Sequence, residues 1–200
     1  ELAKNIEHDL LVISILVENI RRVAAHYRFY LNDKEERVCY AKPYFTVESD
    51  KLRLNNVPPQ KSPIDMSTLD FEEKNKIDKG QNYPVLGKIL TKTKTLGLVQ
   101  KILNHQPYPQ YDSEKNPDWI IMKKILTEWI SNHSEKVALV PLPFYFNIEE
   151  LCDSSSYRKR FSTLAQKLNC LYHDPLDDFQ KYSMKKRRSF RFRTDVHYSP

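Results

Sequence analysis

Only three of the 200 residues are glycine, Gly80, Gly87 and Gly97, and none stands in a GxGxxG or GxxxxGK[ST] pattern. Nucleotide-binding loops of those two types are therefore absent from the sequence. Cysteine is as scarce: Cys39, Cys152 and Cys170 are odd in number and far apart, which excludes a disulfide framework and a CxxC metal site. Free thiols in a reducing compartment, and with them a cytoplasmic location, are the expectation. His8, His26, His105 and His133 show no HxxxH or HxH spacing, so a zinc site has little support. The longest apolar run, Leu10 to Val17, is interrupted by Ser14 and closed by Glu18. It falls well short of the roughly 18 to 20 residues that a bilayer span requires. Glu1 to Asp9 is charged and no small-residue cleavage site follows Val17, so no secretory signal is visible. Glu1 stands where an initiator methionine would, and an upstream segment is expected.

What is present is the composition of a folded domain. Lys and Arg number 32 against 26 Asp and Glu, a net charge of +6, and aromatics make up 12%. This is basic without the like-charge excess and aromatic poverty of disorder. The length fits one domain.

Elements can be placed along the chain. Glu1 to His8 reads as the end of a helix. Leu10 to Val17 is nearly continuous in apolar residues, as in a strand buried on both faces at the centre of a parallel sheet. From Glu18 to Tyr30, Ile20, Val23, Ala24 and Tyr27 recur at helical spacing. Val38–Val47 and Lys51–Val57, joined by Glu48-Ser49-Asp50, read as a hairpin projecting from the main sheet. Pro58 to Tyr83 is polar, with several prolines, and reads as a long surface connection. An interrupted helical pattern covers Pro84 to His105. A better helix runs from Pro117 to Asn132, with Trp119, Met122, Leu126, Trp129 and Ile130 as its apolar stripe and Pro117 in a tolerated first-turn position. Lys136 to Pro143 is a second buried strand, and Tyr157, Phe161, Leu164, Ala165 and Leu168 form a helical face. Cys170 to Asp174 is a third short strand, followed by an acidic turn at Asp177-Asp178. Alternating strands and helices over residues 9–30 and 117–174 predict a layered α/β domain.

The sharpest chemical signal lies in Thr194-Asp195-Val196-His197-Tyr198-Ser199-Pro200. On an extended backbone, residues two apart share a side and their Cα atoms lie about 6 to 7 Å apart. Asp195 can then reach Nδ1 of His197, fixing the imidazole tautomer and leaving Nε2 to accept a proton. That is two thirds of a nucleophile triad. On the residues alone, Asp-x-His is more often a structural or exposed pair, because one such spacing can arise by chance.

These residues resemble the final block of the SGNH (GDSL-type) serine hydrolases, in which an Asp and a His near the end of the domain precede a Pro-containing segment. The commoner spacing in that family is Asp-x-x-His; the shorter Asp-x-His resembles the branch containing alginate acetyltransferase-like enzymes. Val17-Glu18-Asn19-Ile20, directly after a buried strand, resembles the family's Gly-x-Asn-Asp block, with Val17 and Ile20 replacing Gly and Asp. The resemblance implies that Asn19 donates to an oxyanion; an Asn at this junction also suits a helix N-cap. It covers roughly residues 9–30 and 136–200, with about 38–135 as an inserted hairpin, loop and helices. The implied fold is a single three-layer, flavodoxin-like parallel sheet with helices on both faces, lacking its N-terminal part. The family's Ser in a Gly-Asp-Ser-like turn, and its second oxyanion Gly, have no match here. Ser154-Ser155-Ser156 lacks the strand and the glycine that such a turn needs.

The implied chemistry is acyl transfer on an ester, such as an O-acetylated carbohydrate, through a Ser-His-Asp triad with Asn19 in the oxyanion hole. Transfer to a sugar hydroxyl differs only in the acceptor. The mechanism needs no metal or organic cofactor. Two alternatives stay open. One is a catalytically degenerate domain of the same fold used for interaction. The other rests on Lys185-Lys186-Arg187-Arg188-Ser189-Phe190-Arg191-Phe192-Arg193, whose cations and interleaved aromatics suit nucleic acid or an anionic surface. As part of an enzyme, Arg187 and Arg188 are instead expected to bind an acidic or phosphorylated substrate beside the site. His173-Asp174 is a less suitable acid/base pair, because adjacent side chains on a strand point to opposite sides.

Overall fold

The structure, a computed structural model, describes residues 8–78, 106–133 and 136–192 together with Val99 and Ile102. The expected helix end over Glu1 to His8, apart from His8 itself, and most of the Pro84–His105 pattern lie outside the described residues. So do Asp195 and His197.

The molecule is mixed α/β and built on a three-stranded parallel sheet. Strand β1 (Leu10–Leu16) runs into a 3-10 turn (Val17–Asn19) and a single-turn helix α1 (Ile20–Val23). The chain then leaves the sheet through β2 (Tyr27–Leu31), β3 (Arg37–Ala41), β4 (Tyr44–Glu48) and β5 (Lys51–Asn55). Helix α2 (Phe71–Asn75) and the short β6 (Ile77–Asp78) follow. The long helix α3 (Pro117–Ser131) returns the chain to β7 (Lys136–Leu142). After α4 (Tyr145–Ile148) and α5 (Ser155–Lys167) comes β8 (Leu171–Tyr172), and α6 (Pro175–Gln180) and α7 (Met184–Arg188) end the described chain. The parallel sheet has the order β1-β7-β8, with Leu10 opposite Lys136 and Leu16 opposite Leu142. A second sheet has the order β3-β2-β6, and β4-β5 stands as a separate hairpin.

The core lies on one face of the parallel sheet. Ile13, Val137 and Leu139 point into it and meet Trp119, Met122, Leu126 and Ile130 of α3 and Tyr157, Phe161, Leu164 and Ala165 of α5. Helix α3 begins where Asn116 Oδ1 accepts from the backbone N–H groups of Asp118 and Trp119, with Pro117 in the first turn. Trp129, expected in its stripe, is instead 46% exposed, because the buried stripe passes from Leu126 to Ile130.

Several sequence expectations are corrected. Strand β1 is not buried on both faces: Leu10 and Val12 are 44% and 52% exposed, and Leu171, which shares their side through Ala138, is 55% exposed. The helix expected to Tyr30 stops at Val23. The aromatic and β-rich run Tyr27 to Leu31 is a strand that pairs with β3 on one edge and β6 on the other. The segment Val38–Val47 breaks at Lys42-Pro43, so β3 joins β2 while only β4 forms the hairpin with β5. That hairpin turns at Ser49 and Asp50, both with positive φ, as the tight two-residue turn demands. The region after Pro58 is a surface connection but carries α2 and β6, and Asp177-Asp178 lies in the first turn of α6.

Candidate functional site

Asn19 sits just past the C-terminal end of β1, the edge of a parallel sheet at which open α/β folds place their ligands. Its backbone is held from two sides. Tyr111, buried beneath, donates its hydroxyl to the carbonyl of Val17 at 2.9 Å. Ile20 and Val17 are wholly enclosed in the core.

The side chain of Asn19 makes no cap hydrogen bond to α1, so the N-cap role is not the one the structure shows. Its Oδ1 instead accepts from Nη1 of Arg22 at 3.3 Å. Among the described residues its carboxamide N–H groups have no acceptor. Arg22 is fixed in turn: its Nη2 reaches Glu18 Oε1 at 3.2 Å and its Nε reaches Asp78 Oδ2 at 3.3 Å. Glu18 is buried and also pairs with Arg21, whose guanidinium lies 5.9 Å from the ring centre of Tyr108. A buried carboxylate thus anchors two arginines, and one of them orients the amide. Arg21-Arg22 follows Asn19-Ile20 in a way that resembles an Asn-Ile-x-Arg variant of the family, but the ion pairs with Glu18 are visible in the sequence only as the i,i+3 and i,i+4 spacing of an acid before two arginines.

The two arginines expected to bind substrate have different surroundings. Arg187 is buried, with Nε donating to the Tyr182 carbonyl at 2.8 Å and Nη1 to the Ile148 carbonyl at 3.0 Å and to Glu150 at 2.7 Å. Its charge is committed to fastening α7 onto the segment after β7, so it is not offered to a substrate. Arg188 keeps 59% of its side chain exposed and pairs with Glu149 at 3.3 Å. It borders a shallow cleft with Ser189, Arg191 and Phe192. Arg191 joins the same carboxylate, Nε to Glu149 Oε1 at 2.6 Å, and lies 5.0 Å from the ring centre of Tyr145. Two carboxylates, Glu149 and Glu150, thus hold three arginines of the basic run.

Other nucleophile or acid/base candidates are engaged elsewhere. Ser154 Oγ receives the Asn147 amide at 3.0 Å, Ser155 Oγ donates to Asp153 at 2.7 Å and Ser156 Oγ to Asp112 at 2.7 Å. Burial pushes the Cys152 thiol up to about 12, which leaves no thiolate at neutral pH. His173 pairs with Asp178 at 3.0 Å on the surface, whereas Asp174 faces inward to Arg158, so the two neighbours do diverge. Among the described residues no group of three His, Cys, Asp or Glu side chains is placed to hold a metal ion, and no helix is long and apolar enough to cross a membrane.

In comparisons with family models, curated proteins and solved structures, the chain matches none.

Proposed function

We propose that the chain is part of a serine ester hydrolase of the SGNH type, with Asn19 as an oxyanion donor. The observation that carries the reading is the arrangement of Asn19 itself: at the end of a parallel strand, with its oxygen held by Arg22 and its N–H groups unspent. An amide fixed through its oxygen offers its hydrogens without reorganising, which is what a developing oxyanion needs. Val17 and Ile20, where the family pattern has Gly and Asp, are both enclosed in the core. These departures therefore change packing rather than the side on which a reacting carbonyl would lie.

In the proposed reaction a serine from a preceding segment attacks the ester carbonyl while His197 Nε2 takes its proton and Asp195 holds His197 through Nδ1. The oxyanion accepts from Asn19, the alcohol leaves with the proton returned by His197, and water then releases the acid from the acyl-serine by the same route.

The open side of the sheet supports the same reading. Parallel sheets of α/β domains are covered on both faces. Here Leu10, Val12 and Leu171 are exposed, although Ala138 and Val140 of the central strand are buried, and among the described residues β1 has a strand on only one edge. This is what a domain shows without one strand-and-helix unit, and three covered layers are the arrangement proposed for the whole.

The test is hydrolysis of p-nitrophenyl acetate by the full-length protein. Asn19→Ala is expected to lower kcat about 10²- to 10³-fold, the loss typical of one oxyanion donor. His197→Ala is expected to lose at least as much. Variants as fast as wild type would remove these residues from the mechanism.

A further inference from the structure

A cleft of about 260 Å³ opens at the end of the second sheet, lined by His26, Tyr27, Tyr44, Asn56, Gln60 and Glu73. It forms where Lys42-Pro43 parts β3 from the β4–β5 hairpin. The chain after β5 is pinned against it twice: Asn56 Nδ2 donates to the Lys42 carbonyl at 3.0 Å, and the Ile64 N–H donates to the Cys39 carbonyl at 2.8 Å. His26 is fixed from every side. Its N–H donates to the Lys76 carbonyl at 2.8 Å, and its carbonyl accepts from the Lys42 N–H at 2.9 Å. Its ring stacks on Tyr44 with centres 3.6 Å apart, and Nδ1 lies 3.3 Å from Glu73 Oε2.

Glu73 is kept ionised by Lys76, 2.7 Å from Oε1, and by the Tyr27 hydroxyl, 2.9 Å from Oε2. An ionised carboxylate only accepts hydrogen bonds, so a neutral imidazole beside it carries its proton on Nδ1 and leaves Nε2 as an acceptor. Burial pulls the imidazole below its ordinary 6.5 against Glu73, with Lys76 and Lys42 adding to burial, so the neutral ring prevails near pH 7. Nε2 has no partner among the described residues and is not sealed from solvent. Asn56 and Gln60 repeat the pattern. Each spends a carboxamide N–H inside the protein, Asn56 on the Lys42 carbonyl and Gln60 on Ser62 Oγ at 2.6 Å, and each keeps its oxygen unspent among the described residues. The lining thus offers three acceptors and no cation, and its one carboxylate is already matched. A phosphate or carboxylate ligand needs donors that this lining lacks, and the ring nitrogens of a nucleobase would go unmatched. Hydroxyl groups donate to such acceptors, and Ala41, Ile64 and the tyrosine rings give the C–H groups of the same molecule an apolar surface.

We propose that this cleft binds a neutral polyhydroxylated ligand, a sugar or a polyol, one hydroxyl of which donates to His26 Nε2. Glu73 is the positioning residue that holds the imidazole in the accepting tautomer. The site stands on this cleft alone and is independent of the ester-hydrolase reading.

The experiment is NMR of the nitrogen-labelled full-length protein, titrated with methyl glucoside, myo-inositol, glucose 6-phosphate, choline and adenine. Before any ligand is added, His26, assigned by the loss of its ring signals in His26→Phe, is expected to be a neutral ring with Nε2 unprotonated near pH 7. Methyl glucoside or myo-inositol is expected to shift the Nε2 signal saturably, and the tighter of the two assigns sugar or polyol. Affinity, read from backbone amide shifts, should drop at least tenfold in His26→Phe, which keeps a ring against Tyr44 and removes about one hydrogen bond. In Glu73→Gln the ring should move toward the Nε2-protonated tautomer and the affinity should fall with it. Lys185→Ala/Lys186→Ala on α7 should bind as wild type does. Acidification below 6.5 should weaken binding, because an imidazolium has no lone pair to accept with. Circular dichroism checks that each variant is folded. The proposal is overturned if Nε2 carries the proton of the neutral ring, if neither methyl glucoside nor myo-inositol moves the His26 signals at tens of millimolar, if folded His26→Phe binds as wild type does, or if glucose 6-phosphate, choline or adenine binds more tightly than both neutral ligands.

Discussion

Arg22 donates through Nη1 to the carboxamide oxygen of Asn19 at 3.3 Å, and the same guanidinium is braced by Glu18 and Asp78. The bond determines which end of the amide faces outward. An Asn side chain released from it can turn its oxygen outward, and an oxygen in an oxyanion hole repels the charge that the hole must stabilise.

Arg22→Ala should therefore lower kcat for p-nitrophenyl acetate about tenfold with KM little changed, since Arg22 acts on the oxyanion donor rather than on the bound ester. On an Asn19→Ala background the same substitution should cost nothing further. A loss of equal size on both backgrounds would show that Arg22 acts by some route other than Asn19.

Part of this was legible in the chain and part was not, for physical reasons. Leu10–Leu16 and Lys136–Leu142 read as strands because their apolar content is nearly continuous, and Pro117–Ser131 as a helix because its period and its Asn116-Pro117 start agree. Those are local properties. The stretch Tyr27–Leu31 misleads because Tyr27 falls in step with Ile20, Val23 and Ala24. What decides its state is pairing with β3 and β6, which contact it from residues 37–41 and 77–78. The exposure of Leu10 and Val12 is likewise a property of what covers the sheet and leaves no mark in the run itself. Asn19 could be nominated from its place after a strand. Its tie to Arg22 depends on a turn geometry that spacing does not reveal.

The Tyr111 hydroxyl offers a separate test of how the site is supported. It is buried and donates to the Val17 carbonyl at 2.9 Å, while its ring packs on Trp119, Tyr157 and Phe161. Tyr111→Phe keeps the ring and leaves a buried carbonyl short of a partner, which should cost about 1–3 kcal/mol. Urea denaturation should show a lower midpoint with the slope unchanged. An unchanged midpoint would mean that water replaces the hydroxyl.

The second sheet contains a pH-sensitive cluster. His26 stacks on Tyr44 with ring centres 3.6 Å apart, and its Nδ1 lies 3.3 Å from Glu73 Oε2, which also accepts from the Tyr27 hydroxyl at 2.9 Å. Burial pulls the imidazole below its usual 6.5 against the opposing pull of Glu73, with Lys76 and Lys42 adding in the same direction as burial. Glu73 is held down at about 2 from an ordinary 4.5, first by Lys76 and then by Tyr27 and His26. Both groups take up protons more readily in the unfolded chain. Their stabilisation is complete above the unfolded values and is lost on acidification, for His26 as pH falls below 6.5 and for Glu73 between 4.5 and about 2. The Tm of wild type minus that of Glu73→Gln should accordingly shrink from pH 5 to pH 2. The corresponding difference for His26→Gln should begin to shrink already below pH 6.5. Differences that stay constant with pH would remove these groups from the acid response.

Asp174 couples β8 to α6 and supports a prediction about stability. It is buried; Oδ1 accepts from the Leu176 N–H at 3.0 Å as the cap of α6, and Oδ2 accepts from Arg158 Nε at 2.5 Å. Arg158 also pairs with Asp177. Asp174→Ala removes the cap and one partner of a largely buried pair together, and should cost about 3 kcal/mol, the low end for such a break because Arg158 retains solvent and Asp177. Asp174→Asn keeps an oxygen for the cap and loses only the charge, so its cost should be clearly smaller. Combining Asp174→Ala with Arg158→Ala should cost less than the two singles added, because each single already abolishes the shared bond. Strict additivity in denaturant midpoints would show that the two side chains stabilise the fold independently, and loss of the cap alone would then account for the cost of Asp174→Ala.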